Sequence, residues 1–140
     1  MSSRNATVGD SDGTSSASVT SLRGRPALWA TVFGAAGVLH VVRPQFFDSL
    51  VPQELPGGQR VWTLGSGVVE LGLSAAILNP ATRRKIGRPA ALFLVGVLPG
   101  NVKMALDWQR SKKMSPVMKV GAWVRVVAQV PMIVSASRIR

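Results

Sequence analysis

A chain of 140 residues has room for one domain, and 46% hydrophobic residues with a mean hydropathy of +0.25 is high for a sequence that opens on a polar stretch. The absence of cysteine excludes disulfides, iron–sulfur clusters, thiolate zinc sites and thiol redox relays, and one histidine excludes bis-histidine haem ligation within a single chain. The net charge of +11 raises nucleic acid as a partner, but the basic residues lie between apolar runs, as charges flank membrane spans, and nucleic acid is set aside.

Taken in order, residues 1–21 are Ser, Thr, Gly and Asp with almost nothing to bury, and residues 1–25 read as a disordered cytoplasmic tail. A secretory signal does not fit, because the apolar run begins only after Pro26; Asp10 and Asp12 speak against an organelle transit peptide. Residues 26–140 then read as one transmembrane domain. Arg23 and Arg25 precede Pro26, which suits the first turn of a helix, and residues 27–42 form the first span. Gly34, Ala35, Ala36 and Gly37 would let a neighbouring helix approach closely. His40, near the end of that span, reads as a polar helix terminus favoured by the helix dipole, with a ligand or proton carrier as the alternative.

Arg43 and Pro44 end the first helix, and the stretch PQFFDSLVPQELPGG is broken by prolines with Phe46, Phe47, Leu50 and Val51 among its polar residues. It predicts a short interfacial helix followed by a turn, too broken to cross a bilayer. Residues 61–78, VWTLGSGVVELGLSAAIL, are the second span, entered through Arg60 and the interface anchor Trp62. At 1.5 Å per residue this run covers roughly 27 Å, close to the hydrocarbon thickness of a membrane. Glu70 sits at its middle.

Asn79 and Pro80 stop the second helix, and a loop carrying Arg83, Arg84, Lys85 and Arg88 is expected before Pro89 starts the third span, residues 89–106. Gly96 and Gly100 make a small-xxx-small spacing there, and Pro99 removes a backbone donor beside Asn101. Lys103 and Asp107 read as interfacial, with Lys103 snorkelling outward. After a loop with Arg110, Lys112 and Lys113, the fourth span covers residues 117–137 and closes on Arg138 and Arg140. Four spans put both termini on one side, and the weight of basic residues in the tail, the second loop and the last residues places that side in the cytoplasm.

With that topology the second and fourth spans run parallel, and Glu70 and Arg125 each lie roughly 13 Å deep. A lone charge there costs on the order of 3 kcal/mol, so Glu70 and Arg125 are expected to pair. Arg125 and Gln129 share a face, as do Ser66, Glu70 and Ser74. Asn101 and His40 lie toward the same outer half. These groups, Glu70, Arg125, Asn101, His40 and Gln129, are the candidate ligand-binding set; no catalytic residue and no metal site is identified, and the cofactor is left open. One reading makes them an interhelical network that fixes packing. A second makes them a pocket for a polar headgroup such as a quinone or lipid, and a third an ion or proton path.

The stretches GAAGVLHVVRPQFFDSLVPQELPG, SGVVELGLSAAIL and LPGNVKMALD, followed by a last span with Arg125, Gln129 and Pro131, resemble the DoxX-like family of small four-helix membrane proteins. The resemblance covers residues 28–138 and implies an all-α integral membrane four-helix bundle with a short interfacial segment after the first helix. The family takes its name from a small subunit of a thiosulfate:quinone oxidoreductase, so the resemblance implies quinone only by analogy. Cysteine-based activity of some relatives cannot carry over. No nucleophile–base arrangement, phosphate-binding glycine loop or metal-ligand cluster is legible, so the chain is not expected to be an enzyme on its own. The reading is a multi-pass accessory or assembly subunit with the lipid bilayer, another membrane or peripheral redox subunit, or further copies of itself as partners. A quinone-interacting subunit of a membrane oxidoreductase and a small transporter or channel component are the alternatives.

Overall fold

The structure is a computed structural model that describes residues 25–140, so nearly all of the expected tail lies outside the described residues. These residues form five helices in the order α1 (Pro26–Val42), α2 (Pro44–Asp48), α3 (Gln59–Leu78), α4 (Pro80–Arg110) and α5 (Pro116–Ala136), and no strand is present among them. Three of the helices, α3, α4 and α5, are long and apolar enough to cross a membrane; α1 is apolar but shorter.

Prolines set the helix starts. Pro26, Pro44, Pro80 and Pro116 each stand in a first turn, where the missing N–H is no loss and the fixed φ favours the helix. Pro44 also keeps Arg43 out of helical geometry, at φ −128°, so the chain breaks after α1 and starts again as α2. The connection to α3 turns through Gly57 and Gly58 at φ +87° and +83°, a left-handed conformation that side chains with a Cβ resist. It is then tied down by polar contacts: Gln59 Nε2 donates to the Val51 carbonyl (2.6 Å), Trp62 Nε1 to the Pro56 carbonyl (2.8 Å) and Arg60 Nε to Asp48 Oδ2 (2.8 Å).

The basic segment after α3 differs from its expected form. It is helical, and α4 begins at Pro80, nine residues before Pro89. Asn79 alone separates the two helices. Its side chain accepts from the Ala81 N–H, Thr82 Oγ1 donates to the Ala76 carbonyl, and Arg83 donates to the carbonyls of Ile77 and Leu78. The exposed carbonyls at the end of α3 are thereby satisfied from the first turn of α4, with the Arg83 cation at the negative end of the α3 dipole. Pro89 and Pro99 lie inside α4.

α1 packs on α3, α4 packs on α5, and α3 meets α4 less extensively. Both main pairs are antiparallel: α1 and α3 meet at Ala30–Ser74 and again at His40–Glu70, α4 and α5 at Leu94–Gln129 and again at Gly87–Ala136. The closest approach of α1 to α3 is a glycine contact, where a Cβ on Gly37 would stand 2.8 Å from the Gly67 carbonyl oxygen and one on Gly67 2.8 Å from His40 Cβ. The expected small-residue face of α1 is thus used within the chain, whereas a Cβ on Gly96 or Gly100 would meet nothing.

Two apolar clusters divide the molecule along its length. At the end where α3 turns into α4, Trp29, Phe33, Leu73, Ile77, Ala90, Leu94, Ala136 and Ile139 join all four long helices. Toward the opposite end Met104, Ala105 and Ala122 pack with Leu50, Trp108 and Val126, which joins α4 to α5 and to the connection after α2. Apolar burial at both ends leaves the polar groups between them.

Candidate functional site

Glu70 projects from the middle of α3 and His40 from the last turn of α1, with side chains 12% and 13% exposed. His40 Nδ1 lies 2.9 Å from Glu70 Oε2 and 2.7 Å from the Ala36 carbonyl oxygen. Because a carbonyl can only accept, Nδ1 carries the proton and donates it to Ala36, while the buried Glu70 Oε2 beside it accepts no hydrogen bond. The ring also stacks on Phe47, with centroids 3.8 Å apart and planes at 22°. Pro44 turns the chain back so that α2 lies against the end of α1, and this brings Phe47 over the imidazole. One turn along α3, Ser74 Oγ donates to the Ala30 carbonyl at 2.7 Å.

A second polar clip joins α4 and α5. Gln129, 3% exposed, donates through Nε2 to the Leu94 carbonyl (2.6 Å) and accepts through Oε1 from Asn101 Nδ2 (2.7 Å). Four residues beyond Leu94 stands Leu98, which keeps its N–H, so the Leu94 carbonyl has lost nothing to the proline; the donor that Pro99 lacks is the one the Val95 carbonyl would otherwise receive. Gln129 therefore adds a bond to an already helical carbonyl and gains full burial for its amide.

The expected Glu70–Arg125 ion pair does not form. Glu70 Oε2 lies beside His40 Nδ1 but accepts no hydrogen bond, and Arg125 is exposed and makes no hydrogen bond or ion pair among the described residues. The two groups are within electrostatic reach of each other. Equal depth along parallel helices does not make neighbours: α3 packs on α1 and α4, while α5 packs mainly on α4. On α5 the packed side is marked by Ala122, Gln129 and Ala136, one every seven residues, and Arg125 stands at the edge of that side. His40 stands in the last turn of α1, as expected, and its ring also lies beside Glu70.

Polar contacts close the end opposite the α3–α4 turn. Lys103 Nζ, expected to snorkel outward, bridges Asp107 Oδ2 (2.8 Å) and Glu54 Oε1 (3.2 Å), which ties the connection before α3 to α4. Partial removal from water acts to raise the Asp48 carboxyl, but the nearby Thr63 hydroxyl together with the hydrogen bond and charge of Arg60 outweighs it and holds the group below its ordinary value of 3.8. The Glu54 carboxyl is likewise held low, chiefly by its own backbone N–H and by Lys103.

The backbone acceptors at Ala36 and Leu94 and the stacking of Phe47 were not legible in the sequence. Carbonyl acceptors leave no residue-type signal, although a Phe three residues after an Arg-Pro break is a feature from which a returning α2 could be inferred. What the site offers chemically is two interhelical clips and one guanidinium without a partner. Among the described residues no group of three or more His, Asp or Glu is placed to hold a metal ion.

Comparison with curated proteins and with solved structures returned no match. A family model described as a domain of unknown function, DUF8561, matches residues 29–140, a stretch that contains His40, Glu70, Asn101, Arg125 and Gln129. The match runs from the first turn of α1 to the last residue given, and the chain belongs to the DUF8561 family.

Proposed function

We propose that the chain is a four-span integral membrane protein, with the α3–α4 turn and both termini on the cytoplasmic side, and that it serves as a non-catalytic accessory or assembly subunit of a membrane complex. α3, α4 and α5 are long enough to span. α1 counts as the fourth because it lies along α3 from Ala30 to His40 and so shares its depth, and its length of about 26 Å nearly matches a hydrocarbon core. Support for this orientation is the set Arg4, Arg23, Arg25, Arg83, Arg84, Lys85, Arg88, Arg138 and Arg140, against Arg43, Arg60, Arg110, Lys112 and Lys113 in the opposite loops and Lys103 and Lys119 near them.

The observation that carries the accessory role is Arg125. A guanidinium midway along a spanning helix costs on the order of 3 kcal/mol unless it is paired, and here Glu70 lies within electrostatic reach but forms no ion pair with it. Its complement is a carboxylate in the span of another polypeptide. Asn101, Gln129 and Ser74, and Ser135 with Trp29, are used in hydrogen bonds between helices, so they supply packing.

Affinity purification from native membranes in mild detergent tests the reading. The wild type and Arg125→Lys carry with them a polypeptide that has an acidic residue within a span, Arg125→Leu loses it, and neutralising that acid has the same effect. Recovery of all variants with bulk lipid and no stoichiometric polypeptide contradicts it. The unpartnered Arg125 also favours a second reading, the quinone-interacting subunit suggested by the DoxX-like resemblance. A quinone that copurifies in stoichiometric amount and is lost in Arg125→Leu would replace the first reading with that one.

A further inference from the structure

We infer that the end of the molecule bearing the α3–α4 turn is a binding surface for anionic phospholipid headgroups, built by the first turns of α4 and the residues that follow α5. This rests on the membrane reading above and adds a ligand class to it. Ile139 is 1% exposed and sits in the apolar cluster with Trp29 and Ile77, which pins the segment after α5 to the bundle. Gly87 makes the crossing possible: a Cβ there would meet the carbonyl oxygens of Ser137, Ile139 and Ala136 at 2.9, 3.0 and 3.1 Å. The backbone that carries Arg138 therefore lies against α4 between Arg84 and Arg88.

The result is a cluster of exposed cations, Arg84, Lys85, Arg88, Arg138 and Arg140, drawn from two separate parts of the chain and held by a buried anchor. None of the five has a hydrogen-bond or ion-pair partner among the described residues. The described acids Asp48, Glu54, Glu70 and Asp107 all lie in the middle or at the other end. At the opposite end Arg60 and Lys103 are neutralised by Asp48, Glu54 and Asp107, and Arg43, Arg110, Lys112, Lys113 and Lys119, though without a partner of their own, share that end with these acids.

The length of α4 sets the height of the cluster. Its 31 residues cover about 46 Å, some 16 Å more than a hydrocarbon core. With its apolar part beginning after Arg88, the excess at this end carries Arg84, Lys85 and Arg88 out to the headgroup layer. Phosphate oxygens of lipids lie at that height, which a free nucleic acid or an acidic protein would have to approach from solution. Each such cation beside an anionic surface is worth about fivefold in binding.

The full-length protein in detergent micelles is titrated with phosphatidylglycerol or phosphatidylcholine, and bound lipid is read by native mass spectrometry. The wild type retains phosphatidylglycerol preferentially, and R88Q/R138Q weakens that retention about 30-fold, two cations at about fivefold each. R84Q/K85Q, on the exposed side of α4, gives a similar loss, so the outcome does not depend on one variant folding. K112Q/K113Q, at the other end where the described acids lie, weakens retention less. Equal retention of the two lipids, equal loss in K112Q/K113Q, or displacement of phosphatidylglycerol by a single-stranded RNA oligonucleotide overturns the inference. A protein that stays in solution without detergent fails the membrane reading itself, which is a different result.

Discussion

Single residues in this chain act through what they leave unpaired when removed. Glu70→Gln keeps an oxygen beside His40 and loses no hydrogen bond, since Glu70 Oε2 accepts none, so its effect on stability is within about 1 kcal/mol. Glu70→Ala leaves the imidazole facing an empty, partly buried space and costs about 1–3 kcal/mol. Thermal unfolding in detergent, followed by circular dichroism, separates the two; equal losses would mean that the carboxylate charge matters more than the contact. Gln129→Leu strips the amide from Asn101 as well as its own bond to Leu94, and the expected cost is about 1–2 kcal/mol, near the upper range for hydrogen bonds between spanning helices. Arg125→Leu takes no hydrogen bond or ion pair from the isolated chain, so its unfolding midpoint in detergent stays at or above that of the wild type.

Helices are positioned by close contacts that the sequence shows only in part. Gly34 and Gly37 mark a face for a neighbouring helix, and α3 takes it, but nothing in the spacing says that Gly67 would be the opposite member. Gly67→Leu therefore forces α1 and α3 apart at His40 and breaks the Glu70 contact too, with an expected loss of several kcal/mol, in the range of overpacked cores and more. Gly96→Leu, where a Cβ meets nothing, leaves the monomer stable and serves as the comparison. The extent of α4 was not legible, because Asn79-Pro80 reads equally as the end of one helix and the cap and first turn of the next; the side chains of Thr82 and Arg83 decide for the second by capping α3. Depth along a helix was legible from residue count, and so Glu70 and Arg125 were placed at one level. Which helices become neighbours was not, and the pairing of Glu70 depended on that. At the end opposite the α3–α4 turn, acid acts on the Asp48–Arg60 contact. The Asp48 carboxyl lies lower in the folded chain than in the unfolded one, so its contribution is complete above pH 3.8 and is lost as the pH falls through the folded value. Amide hydrogen exchange in the connection between α2 and α3 should stay protected at neutral pH and open below that range, with Asp48→Asn open throughout.

At the scale of the whole molecule, apolar clusters at both ends enclose a polar middle, and the charges are sorted along the long axis. The basic end has no described acid, while the opposite end pairs its acids with Arg60 and Lys103. Helical class and membrane-length helices follow from composition and run length, which is why the sequence carried them. The one measurement that tests the membrane account most directly exploits the lack of native cysteine. Single cysteines at Lys85, Gln53 and Lys112 are labelled in intact cells with a membrane-impermeant maleimide, before and after permeabilisation. The account predicts labelling of Gln53→Cys and Lys112→Cys from outside and of Lys85→Cys only after permeabilisation. Labelling of all three from the same side, or recovery of the protein in the soluble fraction, would contradict it.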